Sequence, residues 1–179
     1  ESTLTVLRYK LRNVQIVREY DPNLPVIQAR GGELNQVWTN LIDNAIDAMQ
    51  GKGQITVITR AENNFVMIEI ADNGPGIPPE IMPRLFEPFF TTKPKGTGLG
   101  LSVSDGIVKE HEGALSVESE LGSYTRFHVD LPLDRAALKA ALAKTPGASA
   151  EGIEASHTLL CRREAGAFQR AAKAGDDLL

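Results

Sequence analysis

The stretch "IADNGPGIPP", residues 70 to 79, ends an apolar run on an aspartate and then crowds glycines and prolines into the turn that follows. Asp72, Asn73 and Gly74 form a turn signal after alternating apolar residues. A tight hairpin accounts for Gly74 and leaves Asp72 and Gly76 without a purpose. The residues upstream sharpen the question. "QITVITR" (54 to 60) and "FVMIEIA" (65 to 71) alternate as strands, and the polar "AENN" between them predicts a hairpin. Before them, "ELNQVWTNLIDNAIDAMQ" (33 to 50) places Leu34, Val37, Trp38, Leu41, Ile42, Ala45, Ile46 and Met49 at helical spacing, with Gly51 positioned to end the helix. "VQIVREY" (14 to 20) reads as a further strand closed by "DPNLP", and Leu4, Leu7 and Leu11 mark the end of a helix.

Downstream come "LFEPFFTTKP", the glycine loop "KGTGLGLS", and a second helix in which Leu99, Val103 and Ile107 are the expected buried face. "ALSVES" (114 to 119) and "YTRFHVDL" (124 to 131) then alternate as strands around "ELGS". The domain is expected to end near Pro132. Beyond it, "LDRAALKAALAK" has a helical composition, "TPGASAEG" a linker composition, and the rest of residues 133–179 carries no pattern. The predicted architecture is a two-layer α/β sandwich: a mixed, mostly antiparallel sheet of about five strands with about three helices on one face.

Composition bounds the function. The 179 residues suffice for one domain and an appendage, and 42% hydrophobic residues make it globular. Nineteen Lys and Arg against 23 Asp and Glu, with no dense basic block, argue against nucleic acid or an acidic membrane surface as a partner. Cys161 stands alone, which excludes an internal disulfide and fits a reducing, cytoplasmic setting. No apolar run reaches the roughly 20 residues of a bilayer span, and no signal-peptide pattern is present. The chain opens on Glu1 rather than Met, which predicts that residues precede it in the natural protein.

On the long helix, Asn40, Asn44 and Asp47 fall within roughly 60° of arc at about 100° per residue, opposite Trp38. Solvated helix faces normally carry Glu, Lys, Gln and Arg, whereas Asn40, Asp43, Asn44 and Asp47 are weak helix formers with short side chains. Short amides and carboxylates suit Mg²⁺, a hard cation commonly shared with substrate phosphates. Gly96, Gly98 and Gly100 precede the second helix, where backbone N–H groups and the helix N-terminus can converge on an anion. A plain flexible connector is the competing reading of those glycines. Lys93 and Lys95 lie in the same loop; Phe86, Phe89 and Phe90 taken alone read as core aromatics, but between two glycine and proline turns they are placed as anchors of a lid.

These segments, in this order, resemble the catalytic and ATP-binding domain of sensor histidine kinases, within the superfamily that also holds type II topoisomerase ATPase subunits and the ninety-kilodalton heat-shock chaperone. "NLIDNAIDAM" resembles the N box, "DNGPGIP" the first glycine box, "LFEPFFTTK" the phenylalanine box and "GTGLGLS" the second glycine box. The resemblance covers roughly residues 14 to 132 and implies a Bergerat ATP-binding fold. It also implies that Asp72 accepts a hydrogen bond from the adenine amino group and that Gly74 and Gly76 let backbone approach the base. Asn44 is implied to bind Mg²⁺, with Asn40 its partner one turn earlier and Lys93 near the terminal phosphate, so that Asn40, Asn44 and Lys93 are the implied catalytic residues. Gly96, Gly98 and Gly100 would line the phosphate chain. Asp47, Ile77, Phe86, Phe89, Thr92, Thr97 and Leu99 complete the implied ATP site.

ATPase members of the superfamily carry a water-activating Glu where this chain has Asn40, an amide that cannot act as a general base. Phosphoryl transfer to a protein side chain is therefore expected over hydrolysis. The resemblance implies a phosphoacceptor His on a dimeric hairpin upstream, of which residues 1–12 would be the tail, leaving 13–132 as the catalytic domain. It implies a response regulator as downstream partner, and a homodimer for the whole protein with this fragment monomeric. None of His111, His128 and His157 fits the acceptor role. Two departures stand out: "TTKPKGTGLG" is shorter than the usual lid, and "LGSYTRF" replaces the usual glycine-rich hairpin before the last strand. A nucleotide-binding regulatory module without kinase activity and a serine kinase of the anti-sigma type are the alternatives.

Overall fold

Helix α2 (Gly31–Ala48) forms where the apolar spacing places it, starting two residues earlier than the pattern, and Leu34, Val37, Leu41, Ile42, Ala45 and Ile46 are its buried stripe. The computed structural model describes residues 1–134 apart from 63 and 95, all within the compact unit Glu1–Arg135. The expected helix and linker of residues 133–179, like His157, Cys161 and Lys95, lie outside the described residues, save for positions 133 and 134. The other elements are α1 (Ser2–Val6), a 3₁₀ turn (Leu7–Tyr9), β1 (Val14–Tyr20), β2 (Gly53–Glu62), β3 (Phe65–Asp72), a second 3₁₀ turn (Met82–Arg84), α3 (Gly100–Glu110), β4 (Ala114–Glu120) and β5 (Tyr124–Pro132).

The five strands form one sheet in the order β1-β2-β3-β5-β4. β1 pairs with β2 in parallel, because α2 carries the chain back between them, and the other pairings are antiparallel. Alternation then sends Ile55 and Val57 of β2, Ile70 of β3, and Phe127, Val129 and Leu131 of β5 into the core shared with α2 and with Val108 of α3. The sandwich expected from the sequence is therefore the one observed. Among the described residues no helix is long and apolar enough to cross a membrane.

At the start of the chain, Leu4 and Leu7 are buried in this core. Thr3 also donates a hydrogen bond to Asn35 at 3.3 Å, and Glu1 accepts from Arg18 at 2.8 Å and Tyr20 at 2.9 Å. On α3, Val103 is exposed, and the buried positions are Ser104 and Val108, flanked by Leu101 and Ile107 against the core. A serine in the middle of that face breaks the apolar spacing, and the face expected through Leu99 and Val103 is turned away from the real interface. At the end of α3, the buried His111 donates from Nδ1 to the Ile107 carbonyl at 2.8 Å and accepts at Nε2 from the Arg30 N–H at 3.1 Å.

Candidate functional site

β3 ends at Asp72, in register opposite Thr125 of β5, and both residues are buried. Asp72 Oδ1 accepts the Gly74 N–H at 2.9 Å, the only hydrogen bond its carboxylate makes among the described residues. Burial pushes this carboxyl up to about 6, against the opposing effect of the Gly74 N–H. The group forms part of the wall of a cavity of about 970 Å³, at the upper end of the range for small-molecule sites. One buried carboxylate oxygen is thus left to recognise a donor on whatever enters.

The turn after Asp72 answers the question of Gly76. Its φ is 70°, and a Cβ there would lie 2.2 Å from the Glu120 carbonyl oxygen. The glycine lets the turn dock on the β4–β5 hairpin, where Ile77 N–H donates to Ser119 Oγ at 2.8 Å and Gly122 N–H to the Pro75 carbonyl at 2.7 Å. Gly76 and Ile77 line the cavity; Gly74, whose N–H is donated to Asp72, does not.

The opposite wall is the loop from Phe90 to Gly100. Thr92, Lys93, Gly96, Thr97, Gly98 and Gly100 all line the cavity. Gly98, with φ 69°, accepts the Phe89 N–H at 2.9 Å, and a Cβ on it would lie 2.3 Å from the Phe89 carbonyl carbon. The loop is pinned there by backbone. Phe89 itself turns outward, 75% exposed, and Phe86 packs against the core, so neither lines the cavity. Phe90 does, with the Arg84 guanidinium 4.3 Å over its ring. Leu99 is the N-cap of α3 and also lies off the wall.

The polar face of α2 divides. Asn44 Oδ1 and Asp47 Oδ2 face the cavity and share the Lys93 ammonium, each at 2.7 Å. Asp43 instead pairs with Lys10 at 3.0 Å. Asn40, expected beside the metal and in the ATP site, is absent from the cavity wall; its Nδ2 donates to the Gly100 carbonyl and to Ser104 Oγ, each at 3.1 Å. The 60° face of about three residues is wide enough to meet both α3 and the cavity, and helical spacing cannot tell which residue meets which. Thr125, Ile81, Leu85, Phe90 and Leu101 also line the cavity. Thr125 carried no local signal; only its register opposite Asp72 brings it there.

The profile of the family described as histidine kinase-, DNA gyrase B- and HSP90-like ATPase matches residues 30–135. Sporulation kinase E of Bacillus subtilis (strain 168) is 43% identical over 124 residues, covering 69% of this chain, which spans 17% of that protein's length. The catalytic domain of histidine kinase ThkA superposes with a TM-score of 0.67 at 31% identity, covering 74% of this chain and 88% of that one. ThkA in complex with the response regulator protein TrrA gives a TM-score of 0.64 at 29% identity, over 74% of this chain and 39% of that one. The chain belongs to the histidine kinase-, DNA gyrase B- and HSP90-like ATPase family, and within it to the catalytic ATP-binding domains of histidine kinases.

Proposed function

We propose that this domain is the catalytic module of a two-component sensor histidine kinase and transfers the γ-phosphoryl group of ATP to a histidine on a separate hairpin. The observation that carries the reading is a single cavity holding a buried, half-satisfied carboxylate, Asp72, and a pair of side-chain oxygens, on Asn44 and Asp47, that already converge on a cation.

Asp72 accepts the exocyclic amino group of adenine, while the apolar wall around Ile77, Leu85 and Phe90 takes the base. Asn44 is the proposed ligand for Mg²⁺, with Asp47 beside it, and their joint hold on the Lys93 ammonium supports the assignment. Mg²⁺ bound there would neutralise charge on the phosphates. Lys93 exchanges its protein partners for the terminal phosphate, and the Gly96–Gly100 loop and the start of α3 present backbone N–H groups to the chain. Asn40 is an amide engaged with α3, so position 40 supplies no base to activate water. An imidazole nitrogen instead attacks phosphorus in line, and the electron pair of the breaking P–O bond leaves on ADP.

The acceptor comes from elsewhere. Both ring nitrogens of His111 are hydrogen-bonded in the interior, and neither it nor His128 lines the cavity. A response regulator as the next partner, a homodimer in the whole protein, and a cytoplasmic setting follow from the same reading. The test supplies a separate histidine hairpin with Mg²⁺ and labelled ATP. Acid-labile label on the hairpin supports histidine transfer, acid-stable label points to a serine kinase, and nucleotide binding without any label leaves a regulatory module.

A further inference from the structure

We propose that Ser104, together with Asn40, is a positioning residue that holds the phosphate loop in register with the cation-binding face of α2. The inference rests on the reading of the cavity as an ATP site. Asn40 Nδ2 donates to the Gly100 carbonyl and to Ser104 Oγ, each at 3.1 Å, and Ser104 Oγ donates to the same carbonyl at 2.8 Å. The two acceptors lie close enough together for the Asn40 amide to be shared between them, and the serine hydroxyl both gives and receives. The three groups form a closed triangle, and Ser104 is wholly buried.

Its position gives it consequence. Gly100 is the first residue of α3 and lines the cavity, whereas Asn40 does not. The loop is held at one point by the Phe89–Gly98 backbone bond and at the next by this triangle. α3 has no side-chain N-cap; Ser102 Oγ donates to the Leu99 carbonyl at 3.0 Å within its own first turn, and among the described residues only the triangle joins that turn to α2 by side-chain hydrogen bonds. α2 carries both Asn40 and, one turn later, Asn44. The triangle thus ties the N–H groups that face the phosphates to the helix that faces the metal. A carboxylate at position 40 would turn acceptor oxygens toward the Gly100 carbonyl, which is why an amide suits the place.

The test uses the full 179-residue chain. Titration calorimetry with Mg-ATP and with adenosine, and amide hydrogen exchange over residues 98–103, compare wild type with Ser104→Ala, Asn40→Ala and the double variant, with Ser104→Thr as rescue. Each single variant should weaken ATP by about 3- to 10-fold, as expected for one buried hydrogen bond. Adenosine binding should hold within about 2-fold and exchange should quicken. The double variant should lose no more than the worse single one, the mark of a shared network. Unchanged ATP affinity, or equal losses for ATP and adenosine, would overturn the proposal. If wild type binds neither compound, the nucleotide reading fails, and the exchange rates alone then decide: faster exchange in the variants upholds the tether and unchanged exchange removes it.

Discussion

The Lys93 ammonium lies 2.7 Å from the Asn44 amide oxygen, and Asp47 closes the same contact from one turn further along α2. A loop residue and a helix residue 49 positions apart in sequence thus meet over the place where a phosphate-bound cation is proposed. The pair is half exposed, so its worth to the fold is small, below about 1 kcal/mol. Its worth to function lies in pre-arranging oxygens around positive charge.

Replacing Asn44 by Ala should therefore weaken Mg-ATP while leaving metal-free nucleotide nearly unaffected. Paired titrations with and without Mg²⁺ read the difference directly. A loss of similar size in both would remove Asn44 from the metal site.

Asp72→Ala should cost adenine nucleotides roughly 2 to 3 kcal/mol, about 30- to 140-fold in affinity, because a charged hydrogen-bond partner is lost from a buried site. Calorimetry with adenosine isolates the base from the phosphates. Unaltered affinity would rule out the adenine contact.

The same carboxyl predicts a pH dependence. Its folded value is about 6, above its ordinary 3.8. Between these values the folded state holds a proton that the unfolded chain releases, so stability should fall as pH rises from about 4 to about 6 and then level off. The difference is of order 2 to 3 kcal/mol, and Asp72→Asn should abolish this component of the profile in denaturant titrations. Adenosine affinity should run the opposite way, weakening as pH drops through about 6, since a protonated oxygen no longer accepts from the amino group. Affinity flat from pH 5 to 8 would contradict it.

Gly76→Ala should destabilise the domain by more than about 1 to 2 kcal/mol, the cost of a left-handed conformation alone, because its Cβ also meets the Glu120 carbonyl. Urea unfolding measures this, and a variant as stable as wild type would show the turn free to move.

Leu7→Ala should cost about 2 to 5 kcal/mol, because Leu7 is buried in this core. Thermal unfolding gives the answer: an unchanged melting temperature would return residues 1–12 to a neighbouring domain.

Much of this was legible in the residues themselves. Period-two runs marked β2 through β5, the apolar stripe marked α2, and the dense Gly, Pro and Asn punctuation located the turns on both sides of the cavity. Asp72, Asn44, Lys93 and the three loop glycines, singled out by residue type, order and the family resemblance, all line the cavity. What remained hidden were relations between elements. Asn40 faces α3 across 60 positions of sequence, Thr125 reaches the cavity by strand register with Asp72, and Leu4 and Leu7 dock on a core built largely by residues far downstream. Periodicity measures only how side chains are disposed around one helix or along one strand. Which neighbour each of them meets is set by the packing of whole elements against one another, and that exists only once the chain has folded.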